Sequence, residues 1–114
     1  MPSPEEFTKA LSDPTRLRVL ILLTHVEELC VCQLTEALDI IQPKISRHLA
    51  VLREKEILLD QRKGQWIFYR LHPELAKWCH TTLSGLATGA EKRQPYCSDL
   101  EKIKHSDLPE SLCR

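Results

Sequence analysis

The sequence predicts a mainly α domain that carries one β-hairpin, and three observations support this. Apolar residues recur at helical spacing along most of the chain. Strand-like alternation interrupts them once, around Lys63-Gly64. Two of the helical stretches are joined by only three residues, Asp39-Ile40-Ile41. A chain of 114 residues, 42% hydrophobic and 28% charged, has room for one compact domain and a short tail. The division expected is a folded domain over 1–90 and a polar C-terminal tail over 91–114. A core of this size gains from oligomerisation.

The elements follow in order. Residues 4–11 read as a short helix whose apolar side holds Phe7, Ala10 and Leu11. Asp13-Pro14 opens a second, because aspartate caps free amides and proline tolerates the first helical position. Leu17, Leu20 and Ile21 share one face of it, widened by Leu22 and Leu23. Residues 29–38 read as a third helix, with Leu34, Ala37 and Leu38 inward. A fourth begins at Gln42-Pro43, where first-turn amides have no intrahelical acceptor to lose. Its stripe is Ile45, Leu49 and Leu52, so Lys44, Arg47 and His48 should point away. Residues 57–62 and 65–71 then form strands flanking the turn, and Pro73 precedes a helix over 74–88. Leu75, Trp78, Cys79, Thr82, Leu83 and Leu86 give that helix a broad apolar stripe. One small subunit has little left for it to cover, so together with the first helix it is the expected dimer face.

Helix, helix, helix–turn–helix, hairpin, helix is the order of a winged helix-turn-helix, here expected as a homodimer. Net charge is zero, yet between Gln42 and His72 seven basic residues face three acidic ones, a basic sub-region suited to phosphate. The second helix of such a motif enters the major groove by its N-terminal residues. Gln42 offers an amide to adenine, Arg47 a fork to guanine, and Ser46 and His48 bond bases or phosphates. Lys44 is a phosphate contact, and Arg62 and Lys63 at the wing reach backbone or minor groove. Double-stranded operator DNA is the partner this implies. No glycine-rich phosphate loop and no nucleophile–base set appears, so an enzyme is not expected and no organic cofactor is called for. No apolar run approaches the roughly 20 residues that span a bilayer, which points to a cytoplasmic protein without a membrane partner.

Four segments resemble the ArsR/SmtB family of metal-responsive repressors, and its arsenic-sensing branch in particular. They are Leu11-Ser12-Asp13-Pro14-Thr15-Arg16-Leu17-Arg18, Glu28-Leu29-Cys30-Val31-Cys32-Gln33-Leu34, Gln42-Pro43-Lys44-Ile45-Ser46-Arg47-His48-Leu49 and Gly64-Gln65-Trp66-Ile67-Phe68-Tyr69-Arg70-Leu71. The likeness covers roughly residues 5–90 in the right order. It implies a winged-helix homodimer that binds a palindromic operator and leaves it when an inducer binds. Ile41 stands where the family often has a serine helix cap, a loss of about 0.5–2 kcal/mol that Asp39 is placed to offset.

Five cysteines, Cys30, Cys32, Cys79, Cys97 and Cys113, are an odd number in a chain with no secretory signal, which favours thiols over a disulfide framework. Cys30 and Cys32 fall at a helix start, where thiolate is favoured. Soft sulfur selects soft acceptors, so arsenite (As(III)) or antimonite (Sb(III)) is the expected inducer. Side chains two apart on a regular helix point nearly opposite ways. Both sulfurs can therefore hold one atom only if that turn unwinds or lies outside the helix. Glu28-Leu29-Cys30-Val31-Cys32 resembles the arsenic-sensing box, but Thr35 stands where a third cysteine would be. The site is then two sulfurs, or takes a third from Cys97 or Cys113. Cys79 is expected to pack as a small hydrophobe. His72, Glu74 and His80 do not reproduce the family's zinc-ligand spacing. Two other readings remain: a thiol-redox regulator through the same cysteines, and a winged helix used only for protein contacts.

Overall fold

The computed structural model describes residues 1–104; Cys113 lies outside them. Its elements are α1 (Pro4–Leu11), α2 (Pro14–His25), β1 (Leu29–Cys30), α3 (Val31–Leu38), α4 (Gln42–Glu54), β2 (Leu58–Lys63), β3 (Trp66–Leu71), α5 (Lys77–Ala90) and α6 (Tyr96–Lys104). This is a winged helix-turn-helix. α3 and α4 are the helix pair, and β2 and β3 form the wing.

Local chemistry sets most boundaries. Ser3 and Glu6 make a reciprocal capping box at the start of α1. The Asp13 carboxylate accepts the Arg16 amide at 3.0 Å and opens α2. α3 ends at Asp39 in the left-handed region (φ 55, ψ 47), a cap more often made by glycine. Ile41 precedes α4 with no side-chain cap. Asp39 therefore closes α3 and does not stand in for the missing cap of α4. In the wing, Lys63 pairs with Trp66, leaving Gly64-Gln65 as a two-residue loop. Gly64, at φ 67, supplies the positive φ such loops need.

Three expectations change. Leu29 and Cys30 are not helical: they form β1, which pairs antiparallel with β3 (Leu29 with Tyr69, Cys30 with Phe68) in a sheet ordered β1-β3-β2. The last long helix starts at Lys77 rather than at residue 74, because a turn after Pro73 is closed by the Glu74 amide on His72 Nδ1 (3.1 Å) and the Leu75 amide on the His72 carbonyl (3.0 Å). The stripe expected on that helix divides into two faces. Leu75, Cys79, Leu83, Ala87 and Ala90 are buried, whereas Trp78, Thr82 and Leu86 are exposed beside Gly85 and Gly89.

The core joins Phe7, Val19, Leu20, Leu22, Leu34, Ile45, Leu49, Leu52, Ile57, Leu58 and Leu83, so α2, α3, α4 and the wing base share one apolar centre. Part of the segment expected as a polar tail is ordered on it. Asp99 of α6, only 2% exposed, accepts Arg18 Nε and Nη2 at 2.8 Å each. Arg18 Nη2 also donates to the Leu38 carbonyl at 3.1 Å, tying α6 to the end of α3. No helix among the described residues is long and apolar enough to cross a membrane.

Candidate inducer and nucleic-acid site

The two sulfurs converge. Cys30 is the residue before α3, with extended backbone (φ −87, ψ 165), and Cys32 lies in the first turn. Their Sγ atoms stand 3.0 Å apart. The opposed directions expected for positions two apart apply only within a helix, and β1 takes Cys30 out of it. No unwinding is needed to bring the pair together. The Gln33 side-chain oxygen accepts the Cys30 amide at 2.9 Å, which holds the strand-to-helix corner. Thr35, where a third cysteine was considered, has its hydroxyl on the Val31 carbonyl at 2.9 Å.

Cys30 packs with Phe68, against Cys32 and Trp66. The pair lines a cleft of about 210 Å³ whose other walls are Val31, Gln42 and Gln65-Trp66-Ile67. One side of the cleft is thus the first residue of α4 and another is the wing. Cys97 lines a different cleft, with Thr24, His25 and residues of α5 and α6, so within one chain it does not join Cys30 and Cys32. Burial pushes the Cys79 thiol up, as suits a packed cysteine. Among the described residues, no group of three or more His, Cys, Asp or Glu side chains is arranged to hold a metal ion.

The residues expected at DNA divide. Gln42, Lys44 and Arg47 are exposed on α4, with Ser46 half-buried beside them. Arg62 and Lys63 are exposed on the wing. Lys63 Nζ is held by the Glu28 carboxylate at 2.5 and 2.9 Å and lies over the Phe68 ring at 5.0 Å. The wing tip is thereby tied to the residue two before Cys30. His48 does not point out with Lys44 and Arg47: its side chain is 11% exposed and faces Asp13 and Arg16. Helical spacing alone could not show this, since the groups that draw the ring in come from the corner between α1 and α2.

Known proteins resemble this chain in sequence and fold. Residues 13–58 match the family described as "Bacterial regulatory protein, arsR family". The arsenic resistance transcriptional regulator ArsR1 of Pseudomonas putida is 55% identical over 84 residues, 74% of this chain and 66% of that protein. ArsR2 of the same organism is 54% identical over 83 residues, 73% of this chain and 72% of its own length. The chain thus spans about two thirds to three quarters of these relatives. The crystal structure of the antimony-specific transcriptional repressor AntR superposes with a TM-score of 0.62 at 31% identity, over 75% of each chain. Proteins of this kind are transcriptional regulators, not enzymes. With its helix pair, wing and paired cysteines in the same fold, the chain belongs to the arsR family of bacterial regulatory proteins.

Proposed function

We propose that this protein is a cytoplasmic, homodimeric repressor that binds operator DNA through α4 and the wing and releases it when As(III) or Sb(III) is held by Cys30 and Cys32. The observation that carries the reading is the 3.0 Å approach of two sulfurs inside a cleft between the two DNA-reading elements. Sulfur ligands of this kind select soft centres, As(III) and Sb(III) among them. The relatives named for arsenic resistance and the antimony-specific neighbour support the same class of inducer.

Release follows from where the sulfurs sit. Cys30 belongs to the strand that pairs with the wing and is the residue from which α3 starts. Gln42 begins α4 across the same cleft. Filling the cleft changes the separation of wing and recognition helix, so the inducer-bound shape and the operator-bound shape exclude one another. By linkage, DNA weakens inducer binding by the same factor. The exposed face of α5, with Trp78, Leu86, Gly85 and Gly89, fits a second copy. Among the described residues, an added Cβ at either glycine meets no neighbouring atom within 4 Å, which leaves room for close helix approach.

The test uses duplexes selected by the wild-type protein from a random pool and followed by fluorescence anisotropy under reducing conditions. Arsenite should release wild type and Cys97→Ser but neither Cys30→Ser nor Cys32→Ser. Equal response in all four proteins refutes the site. Release by oxidant alone supports the redox reading, and unchanged DNA affinity after Arg47→Glu supports a protein-contact module.

A further inference from the structure

We propose that His48 positions the recognition helix from inside, pinning α4 to the corner between α1 and α2, and does not read bases; the proposal rests on the DNA-binding reading above. His48 lies in the second turn of α4, and its ring bridges Asp13, the cap of α2, and Arg16 in its first turn. Nδ1 is 3.3 Å from Arg16 Nη1, and Nε2 is 3.7 Å from Asp13 Oδ2. Arginine can only donate, so Nδ1 must accept and the ring proton belongs on Nε2, facing the carboxylate. Arg16 is fixed in turn: its Nε donates to the Ala10 carbonyl at 2.9 Å and its Nη2 to the Lys9 carbonyl at 3.3 Å. These are carbonyls from the last turn of α1. Asp13 is held as the cap of α2. A chain of contacts thus runs from α1 through Arg16 to the helix that carries Gln42, Lys44 and Arg47.

The lever is short and stiff. His48 lies six positions along the helix from Gln42, about 9 Å at 1.5 Å per residue, so a tilt of about 10° about His48 moves the groove end by about 1.6 Å. That is enough to carry a side chain out of hydrogen-bond range of a base edge. Only the neutral ring fits. Burial disfavours its charged form; Asp13 opposes this, and Arg16, Arg47 and Lys44 add to it, leaving the imidazole titrating below its ordinary range. Those four side chains, from the start of α2 with its cap and from α4 itself, are the charged groups that act on it.

The experiment compares wild type, His48→Ala and His48→Asn on the selected duplex and on a panel with each base pair changed in turn, across pH and salt. Asparagine keeps an acceptor near Nδ1 and cannot be protonated. His48→Ala should weaken binding by about tenfold on every duplex, with an unchanged slope of log affinity against log salt. His48→Asn should recover most of that loss. Wild-type affinity should fall as pH drops from 7 to 5, and that fall should be absent in His48→Asn. Loss confined to one base pair, or a salt slope smaller by about one, overturns the proposal in favour of direct DNA contact. Native-state amide exchange in the DNA-free protein gives a reading independent of any operator. His48→Ala and not His48→Asn should speed exchange along the first turns of α4, and equal rates in all three proteins overturn the proposal. Absence of selectable duplexes for wild type instead counts against the repressor reading.

Discussion

Replacing Asp99 by alanine should destabilise the protein by about 2–3 kcal/mol, although Asp99 lies in a segment whose composition reads as a polar tail. The carboxylate is 2% exposed and takes two hydrogen bonds of 2.8 Å from Arg18. Its removal leaves a guanidinium, 17% exposed, with the Leu38 carbonyl as its remaining acceptor. Breaking a buried pair from one side costs about 3–5 kcal/mol, and the partial exposure of Arg18 reduces that because water reaches the abandoned charge. With a urea m value of about 1.5 kcal/mol/M, the midpoint falls by about 1.3–2 M. The assay is urea unfolding followed by far-UV circular dichroism, at one fixed protein concentration because a dimer's midpoint moves with it. The apolar pair Arg18→Met with Asp99→Leu should recover most of the loss, since burying two charges is itself costly. A single substitution costing less than about 0.5 kcal/mol, or a double variant no better than Asp99→Ala, would refute the reasoning.

Ile41→Ser should stabilise the protein by about 0.5–2 kcal/mol: the isoleucine is 71% exposed and gives up no packing, while serine caps the bare start of α4. An unchanged urea midpoint contradicts this. Gly89→Leu should leave the circular dichroism spectrum intact and abolish the proposed dimer in sedimentation, because an added Cβ there meets no atom of the described residues within 4 Å; a persisting dimer places the interface elsewhere. Stability should also fall on acidification in two stages. A ring whose folded pKa is depressed stabilises fully above its unfolded value near 6.5 and loses that contribution as pH drops through the folded value. The first stage is therefore His48, and it should vanish in His48→Asn. The second is Asp13: burial opposes its ionisation, but the Arg16 amide, the His48 and Arg16 side chains and the Thr15 amide together hold its carboxyl below the usual range, so its contribution is present above pH 3.8 and lost further down.

Periodicity and capping chemistry carried the helix pair, the wing and the basic face of α4, because those depend on residues close together in the chain. Apart from the local turn at His72 that delays α5, the differences below arise from distant partners. Leu29-Cys30 is apolar in a way that suits a helix start equally well, and only pairing with Tyr69 and Phe68 makes it a strand. That pairing takes Cys30 out of the helix, so the geometry of the cysteine pair could not be read from their spacing. His48 follows the polar face of its helix by position, yet Arg16 and Asp13 draw it inward. Asp99 is buried because Arg18 meets it from 81 residues away. Lys63, expected at DNA, is shared with Glu28 across the wing. The Leu29-Cys30 pairing and Lys63 lie at or beside the cysteine cleft, and His48 supports the recognition helix, so long-range pairing decides how the site is built.

In the proposed function Cys30 and Cys32 together hold the inducer between wing and recognition helix. Arsenic K-edge X-ray absorption on the reduced protein loaded with arsenite tests it most directly, with the Cys30→Ser, Cys32→Ser double variant alongside. Wild type should hold one arsenic per chain with at least two sulfur neighbours, and the double variant should hold no sulfur-bound arsenic. Equal loading with the same sulfur coordination in both proteins would contradict it.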